Sequence, residues 1–241
     1  MTNLIRNLFC TSLGKKYIMA VTGFSMVLFV AGHLAGNLQV FGRPEMINRY
    51  GDFLQHFELL WPIRLCLLAI ITLHIWSAAR LARENAVARP VDYVKWNPTA
   101  ASYASQTMLM SGLIVLSFLV YHLLHYTLLI KAVNFTGQDF AAIPQFQDEK
   151  GRHDIFKMIV VGFNNPWASL IYIVGVGLLC LHLSHGISAM FQSLGWKKRG
   201  YGDCLDRIAQ FGSILIFLGY ISIPIAILLG YGHEYAKELL K

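Results

Sequence analysis

Four histidines lie singly within separate apolar stretches, each long enough to cross a lipid bilayer. They are His33, His74, His122 and His182. An ionisable side chain at membrane depth is costly, so such residues usually mark a functional site. No Asp or Glu lies within these stretches to pair with the histidines. The imidazoles therefore need another kind of partner.

The composition indicates a membrane protein. Of the 241 residues, 56% are hydrophobic and 14% are charged, which is more apolar surface than one soluble core of this size usually absorbs. Five segments reach the length of about 20 residues that a helix needs to cross a bilayer. These segments are 17–41, 61–82, 103–131, 166–191 and 205–231. The sequence predicts an all-α membrane protein, a five-transmembrane-helix bundle forming a single domain over residues 1–241.

The distribution of charge predicts the orientation. With the N-terminus in the cytoplasm, the inner segments contain eleven basic and four acidic residues, and the outer segments nine of each. The net charge of +7 then lies on the inner face, as the positive-inside rule expects of short cytoplasmic loops. Because such loops serve to fix topology, the basic charge does not predict binding to nucleic acid.

Depth along the helices groups the histidines into two pairs. At the α-helical rise per residue, His33 and His122 lie roughly 24 and 28 Å from the inner ends of their helices. His74 and His182, on helices of the opposite direction, lie roughly 20 and 24 Å from the outer ends. Two facing imidazoles fill both axial positions of a haem iron without adding charge. The bundle is therefore predicted to enclose two stacked b haems, which are non-covalent because no C-x-x-C-H motif is present.

Small residues lie beside the proposed ligands, where a macrocycle would need room. Thr22-Gly23 and Ser111-Gly112 each begin eleven residues before one of the outer histidines, on the same helix face. We expect both dipeptides to lie beside the inner haem. Gly175 lies two turns before His182 on its face and is expected to give the macrocycle room in the same way.

Two further histidines compete for the role of ligand. His125 and His185 each lie one turn from a proposed ligand on the same helix face. Depth matching favours His122 and His182, and we interpret the other two as partners of a haem propionate, a water or a quinone. A single bundle histidine is more often a core residue or part of a proton path. Four histidines in depth-matched pairs are better explained by cofactor binding.

Four stretches of the sequence resemble one family. They are Thr22-Gly23-(x)8-Gly32-His33-Leu34, Leu73-His74-Ile75, Ser111-Gly112-(x)9-His122-Leu123 and Tyr172-Ile173-Val174-Gly175-Val176-(x)5-His182-Leu183-Ser184-His185-Gly186. They resemble the diheme cytochrome b subunit of succinate:quinone oxidoreductases and quinol:fumarate reductases, in the form where one five-helix chain anchors the complex. The resemblance covers the first four helices, and the fifth is similar only in general character.

The resemblance implies a subunit of a respiratory enzyme in the cytoplasmic membrane of a prokaryote. A flavoprotein that interconverts succinate and fumarate, and an iron–sulfur subunit, would dock on the cytoplasmic face. Electrons would pass to the inner haem on His74 and His182, then to the outer haem on His33 and His122, and then to a quinone. Menaquinone is usual for the two-haem form. The dicarboxylate site would lie on a partner subunit.

One position departs from the family pattern. Some fumarate reductases of this kind have a glutamate two residues before the fourth ligand, where it serves transmembrane proton transfer, and this chain has Cys180. Without a compensating proton path, an electron that crosses toward a positive exterior gains about 2.3 kcal/mol per 100 mV. The departure therefore favours succinate oxidation over fumarate reduction.

The connection between the first two spans contains candidates for an outer quinone site. They are Asn37, Gln39, Arg43, Glu45, Tyr50, His56 and Glu58. Glu58 is the preferred catalytic residue for quinone-linked proton transfer, with Glu45 or a water chain as alternatives and pairing with Arg64 as its structural role. Each of these residues is otherwise a solvated loop residue. An inner site near Ser105, Gln106, Trp196 and Lys197 stays open, and the same groups could instead hold propionates.

Two other functions fit the sequence. The chain could be the cytochrome b subunit of a hydrogenase or a formate dehydrogenase, which also carry histidines in helix bundles. It could also be a cofactor-free transporter or structural anchor with histidines along a proton path. A b-type absorption spectrum would exclude the cofactor-free alternative.

Overall fold

A computed structural model describes residues 2–88, 107–198 and 200–240. Its α-helices are α1 (Thr2–Cys10), α2 (Ser12–Asn37), α3 (Pro44–His56), α4 (Leu60–Val87), α5 (Met108–Tyr126), α6 (Ile155–Asn164), α7 (Pro166–Ser193) and α8 (Gly202–Leu228). Short 3₁₀ helices lie at Leu38–Phe41, Lys131–Val133 and His233–Tyr235.

Five helices in the described ranges are long and apolar enough to cross a membrane: α2, α4, α5, α7 and α8. The predicted all-α bundle of five membrane helices is thus confirmed. The third span ends at Tyr126 instead of 131. Leu129 has a φ of 54°, in the left-handed region where an α-helix cannot continue. The predicted start of this span, 103–106, lies outside the described residues, as do Ser105 and Gln106.

The start of α7 is fixed by a side-chain cap. The side-chain oxygen of Asn165 accepts hydrogen bonds from the backbone N–H groups of Trp167 and Ala168 at 3.0 and 3.3 Å. Pro166 occupies the first helical position, where its missing N–H costs nothing. The cap fixes where the fourth membrane helix begins.

The connection between α2 and α4 is largely helical, which corrects the prediction of a loop. Residues Pro44–His56 form α3, so His56 is the last residue of a helix. The helix begins with a proline at its first position and buries only Ile47 and Asn48. A long apolar segment is the sequence signal of a membrane helix, and a polar helix such as α3 does not give that signal.

The chain divides into two compact units. The first unit comprises residues 1–30, 61–111 and 181–213, and the second comprises 31–60, 112–180 and 214–241. Helices α2, α4, α5, α7 and α8 contribute residues to both, α4 only through Leu60. The first unit contains His74 and His182, and the second contains His33 and His122. Each unit therefore holds one of the two predicted histidine pairs.

A buried ion pair fastens the N-terminal segment of the first unit. Lys15 is only 1% exposed, and its Nζ lies 2.7 Å from Glu84 Oε1 and 3.1 Å from the Cys10 carbonyl. A buried ammonium needs such partners to offset its lost hydration. Gly14 permits the tight turn after α1, since a Cβ there would meet the backbone of Leu8. The N-terminal helix α1 therefore ends at Cys10.

The second unit is built around α6, which is apolar but too short to cross a membrane. Its buried side chains pack with Val40, Phe140 and Phe146. Asn48 fastens α3 to the start of α6. Its amide nitrogen donates to Asp154 Oδ1 at 3.0 Å, and its oxygen accepts from the Phe156 backbone N–H at 2.9 Å. Both polar ends of a buried side chain are thus satisfied.

We predict that Asn48→Ala destabilises the second unit. The substitution leaves the buried Phe156 N–H without its acceptor, which costs about 1–3 kcal/mol. Thermal unfolding of the purified protein in detergent measures the loss. Gln55→Ala is the matched control, because Gln55 is an exposed amide on the same helix. Equal melting temperatures for the two variants would contradict the proposed role of Asn48.

Candidate functional site

Two imidazoles from different helices face each other in the second unit. The ring centres of His33 on α2 and His122 on α5 lie 5.8 Å apart, with the ring planes at 80°. Nδ1 of His122 lies 3.2 Å from the phenol oxygen of Tyr172, on α7. The structure therefore brings together the two histidines that depth along the helices had paired.

The first unit contains the other pair. His182 on α7 interacts electrostatically with His74 on α4. Nδ1 of His74 lies 3.1 Å from the hydroxyl oxygen of Thr22, and Nδ1 of His182 lies 3.2 Å from that of Ser111. Each histidine is thus held by a hydroxyl group on a neighbouring helix.

The protonation of these two imidazoles follows from the hydroxyl groups. The Thr22 hydroxyl lies 2.7 Å from the Ile18 carbonyl, and the Ser111 hydroxyl lies 3.0 Å from the Met108 carbonyl. A hydroxyl has one proton to donate, and the carbonyl takes it. With that proton directed to the carbonyl, the oxygen acts as an acceptor for Nδ1–H, and we assign this tautomer to both histidines. Nε2 keeps its lone pair, which is the form in which a histidine binds a metal ion.

The predicted small residues have different surroundings. A Cβ on Gly23 would lie 3.4 Å from Cε1 of His74, so this glycine gives the imidazole room. Gly112 follows Ser111 within α5. The ring of Phe118 packs against Gly175, in the space that a Cβ would take. In this structure an aromatic side chain therefore lies at the glycine that was expected to admit a macrocycle.

His125 lies in an aromatic shell of the second unit. It is 0% exposed and stacks on Tyr126, with ring centres 4.0 Å apart, and on Phe140 at 5.8 Å. Neither ring nitrogen has a hydrogen-bond partner among the residues that the structure describes. A buried unsatisfied polar group costs about 1–3 kcal/mol. These surroundings differ from those of His122, which faces His33.

His185 lies in a charged cluster of the first unit. It interacts electrostatically with Lys197 and Asp206. Lys197 Nζ lies 2.7 Å from both carboxylate oxygens of Asp206 and 3.2 Å from the Ser188 hydroxyl. The position of His182, close to His74 and Ser111, is the more suitable one for a ligand.

The residues of both pairs fit a b-type haem. Each pair supplies two nitrogen donors from different helices and no carboxylate. This donor set suits the two axial positions of haem iron. In the first unit the Nδ1–H tautomers leave both Nε2 atoms available, as axial ligation requires.

Two clefts lie along α3, both within the second unit, and some of the quinone candidates line them. One cleft, of about 320 Å³, is lined by Gln39, Met46, Arg49, Tyr50 and Phe53. The phenol of Tyr50 packs on α2, where a Cβ on Gly36 would lie 2.9 Å from its oxygen. Asn37 donates from its side chain to the His33 carbonyl at 2.7 Å.

The second cleft contains the candidate proton carriers. It has a volume of about 520 Å³ and is lined by Asp52, Phe53, His56, Phe57, Glu58 and Leu59. Nδ1 of His56 is 2.9 Å from the Asp52 carbonyl. The Arg64 guanidinium lies over the Trp61 ring at 5.2 Å, and the ion pairs found among the described residues do not include Glu58.

The remaining candidates lie apart from both clefts. Arg43 is exposed at the residue before α3 and lines neither cleft. Glu45 forms an ion pair with Lys150. The hydrogen bond and charge of that ammonium hold the pKa of the Glu45 carboxyl below its ordinary value. Glu45 therefore stays ionised near neutral pH, which makes it a poorer proton carrier than a free carboxyl.

Two candidate residues for an inner quinone site, Trp196 and Lys197, contact other side chains of the protein. Trp196 is exposed, and its ring centre lies 6.0 Å from that of Phe191. Lys197 is paired with Asp206. A quinone or propionate that used Lys197 would have to share it with this carboxylate.

Sequence patterns alone missed several residues of these sites. Arg49, Met46 and Phe53 line the clefts but lie in a segment whose helical form was not expected. The contact of Tyr172 with His122 joins two helices. No spacing along a single helix predicts it, although Tyr172 belongs to the fourth motif that carried the resemblance.

Comparison with protein families gives one match. Residues 88–221 match the model of the succinate dehydrogenase/fumarate reductase transmembrane subunit, which is more than half of the 241 residues. The match includes His122 and His182, whereas His33 and His74 precede it. No curated protein and no solved structure matches the chain.

Proposed function

Because this chain belongs to the succinate dehydrogenase/fumarate reductase transmembrane subunit family, we propose that it is the diheme cytochrome b anchor of such a complex. It would carry electrons between an iron–sulfur subunit and a membrane quinone. The observation that most strongly supports this proposal is the pair of hydrogen bonds between hydroxyl groups and imidazoles in the first unit. They leave Nε2 of His74 and His182 ready to bind iron.

Four histidines would hold the two haems. His74 and His182 would hold one haem in the first unit, and His33 and His122 would hold the other in the second. Haem supplies a one-electron carrier with a potential that its ligands and their hydrogen bonds tune. Thr22 and Ser111 fix the tautomer and ring orientation of the first pair, and Tyr172 holds Nδ1 of His122. Gly23 leaves room beside His74.

The quinone would bind beside α3. Tyr50, Gln39 and Arg49 offer hydrogen-bond donors to the carbonyl groups of a quinone in the smaller cleft. Glu58 and His56, in the adjoining cleft, would transfer protons from the aqueous side. Both clefts are lined by Phe53, so a single aromatic side chain borders both groups of residues.

The orientation and partners follow from charge and family membership. The basic loops would face the cytoplasm and dock the iron–sulfur and flavoprotein subunits. Menaquinone is the acceptor we propose. Cys180 is buried in α7. It occupies the position at which some fumarate reductases of this kind have a carboxylate for transmembrane proton transfer. Its presence supports electrogenic turnover in the direction of succinate oxidation, because the membrane potential then assists the electron.

Family membership favours this function over the hydrogenase and formate dehydrogenase alternatives. The haem content of the protein distinguishes the proposed function from that of a cofactor-free anchor. The purified protein should contain two haems b per chain by pyridine haemochrome analysis. A content of one haem or none would contradict the proposal.

Substitution of single histidines tests the ligand assignment. We expect His122→Ala and His182→Ala each to lose one haem, because iron then lacks an axial donor. The matched controls are His125→Ala and His185→Ala, one turn away on the same helices, which should retain both haems. Haem loss in the controls, with retention in the first two variants, would reverse the assignment.

The hydroxyl groups should set the potential of the haem in the first unit. Thr22→Val and Ser111→Ala each remove the acceptor for an Nδ1–H, which makes the imidazole a weaker electron donor to iron. Loss of one hydrogen bond corresponds to a rise in midpoint potential on the order of tens of millivolts. Spectroscopic redox titration measures it.

Two substitutions on other hydroxyl groups control for helix effects. Thr72→Val and Ser117→Ala remove hydroxyls that donate only to Leu68 and Leu113 carbonyls of their own helices. Neither should move a haem potential. Equal shifts in these controls would show that the effect comes from helix packing.

Glu58→Gln tests the proton path. The variant should slow succinate-dependent menaquinone reduction, while both haems and assembly with the soluble subunits persist. The reason is that quinone reduction takes up one proton per electron, and an amide cannot relay protons as a carboxyl does. Glu45→Gln is the matched control, since Glu45 is paired with Lys150. Unchanged turnover in Glu58→Gln at matched haem content would remove Glu58 from the mechanism.

A further inference from the structure

Four buried polar atoms that have no hydrogen-bond partner in the described part of the chain lie on three neighbouring residues of α5. They are the phenol oxygens of Tyr121 and Tyr126 and both ring nitrogens of His125. Native proteins rarely leave such atoms unsatisfied, and ordered water is the usual partner when no protein group is available. A cluster of this kind marks a place where something polar is bound.

The unpartnered groups surround a fourth residue, Tyr172. Its ring centre lies 5.7 Å from each of those of Tyr121, His125 and Tyr126. We call these four residues the aromatic polar cluster. All of them belong to the second unit.

The backbone of α6 comes unusually close to this cluster. A Cβ on Gly162 would collide with the phenol oxygen of Tyr126 and would lie 3.5 Å from Nε2 of His125. Glycine at this position therefore lets the Tyr126 phenol pack directly against the α6 backbone, close to Nε2 of His125. Any larger residue would displace the phenol.

The polar groups of the cluster suit a neutral ligand that can both donate and accept hydrogen bonds. Each phenol can donate one hydrogen bond and accept others, and a neutral imidazole has one donor and one acceptor. The rings packed around the cluster are those of Phe140 and Phe163, which offer no cation to balance an anion. Water meets these requirements, whereas a carboxylate would be buried without a counter-charge.

Tyr172 links this site to the candidate haem ligand His122. The phenol lies 3.2 Å from Nδ1 of His122. If it accepts the proton of Nδ1–H, its own proton still needs an acceptor. In the first unit the corresponding protons of Thr22 and Ser111 go to backbone carbonyls. At Tyr172 an internal water would take that place.

We propose that the aromatic polar cluster binds internal water, which orients the Tyr172 phenol as the acceptor for Nδ1–H of His122. The water site stands on the structure alone, and its effect on a haem rests on the proposed function. Tyr172 is then a positioning residue for the ligand. His125 belongs to the hydration site and is not an axial ligand.

Hydroxyl-radical footprinting of the purified full chain tests the water site directly. Radicals generated by X-ray radiolysis from trapped water oxidise the side chains beside it. Tyr121 and Tyr126 should be oxidised although their phenol oxygens are buried. Buried Phe156 should stay unmodified, and Tyr235, 52% exposed, serves as the positive control. No oxidation at Tyr121 and Tyr126, with normal oxidation of Tyr235, would overturn the proposal.

Tyr126→Phe gives a second, independent measurement. The variant keeps the ring stack on His125 and removes one partner of the water, so its melting temperature should fall. A dry site predicts the opposite, because the substitution would remove an unsatisfied polar group. An unchanged or raised melting temperature would thus contradict the proposal. Tyr235→Phe is the control.

Redox titration of the Tyr126→Phe holoprotein tests the link to His122. The midpoint potential should rise for the haem that is lost in His33→Ala and stay constant for the other. If both midpoint potentials shifted equally, or if neither shifted, Tyr172 would not be a positioning residue for His122. Absence of haem from the native protein would refute the proposed function instead, and footprinting would still decide the water site.

Discussion

The arrangement of the candidate ligands depends on the hydrogen bond that a hydroxyl group on one helix accepts from a histidine on another. An imidazole has two nitrogens, and only the deprotonated one can bind iron. The Thr22 and Ser111 hydroxyls give their own protons to backbone carbonyls, so they act as acceptors toward His74 and His182. Each bond also joins two membrane helices. Helix packing and ligand chemistry are therefore fixed by the same contacts.

The second unit achieves a comparable result with aromatic residues. A phenol replaces the small hydroxyl at His122, and it brings with it a shell of tyrosines and phenylalanines. The short buried helix α6 closes this shell from one side, and Asn48 fixes α3 to its first turn. The clefts along α3 are thus held by the same packing that surrounds the candidate ligand.

Much of this architecture could be predicted from single helices. The five spans follow from length and hydropathy, and the pairing of His33 with His122 follows from depth. Helix α3 was missed because it is polar, and the end of α5 was missed because Leu129 adopts a left-handed conformation. Contacts between helices, such as that of Tyr172 with His122, depend on the rotation of each helix about its axis. Spacing within one helix does not contain that information.

Electron paramagnetic resonance of the oxidised, purified protein reports on the ligands of each haem iron and so tests the assignment of the four histidines. Two histidine nitrogens on each iron predict two low-spin ferric haem signals of the bis-imidazole type, one from each unit. His74→Ala should abolish one signal, and His33→Ala should abolish the other. Three results would contradict the assignment of two histidine ligands to each haem. They are a high-spin signal in the native protein, a single low-spin component, and persistence of both components in either variant.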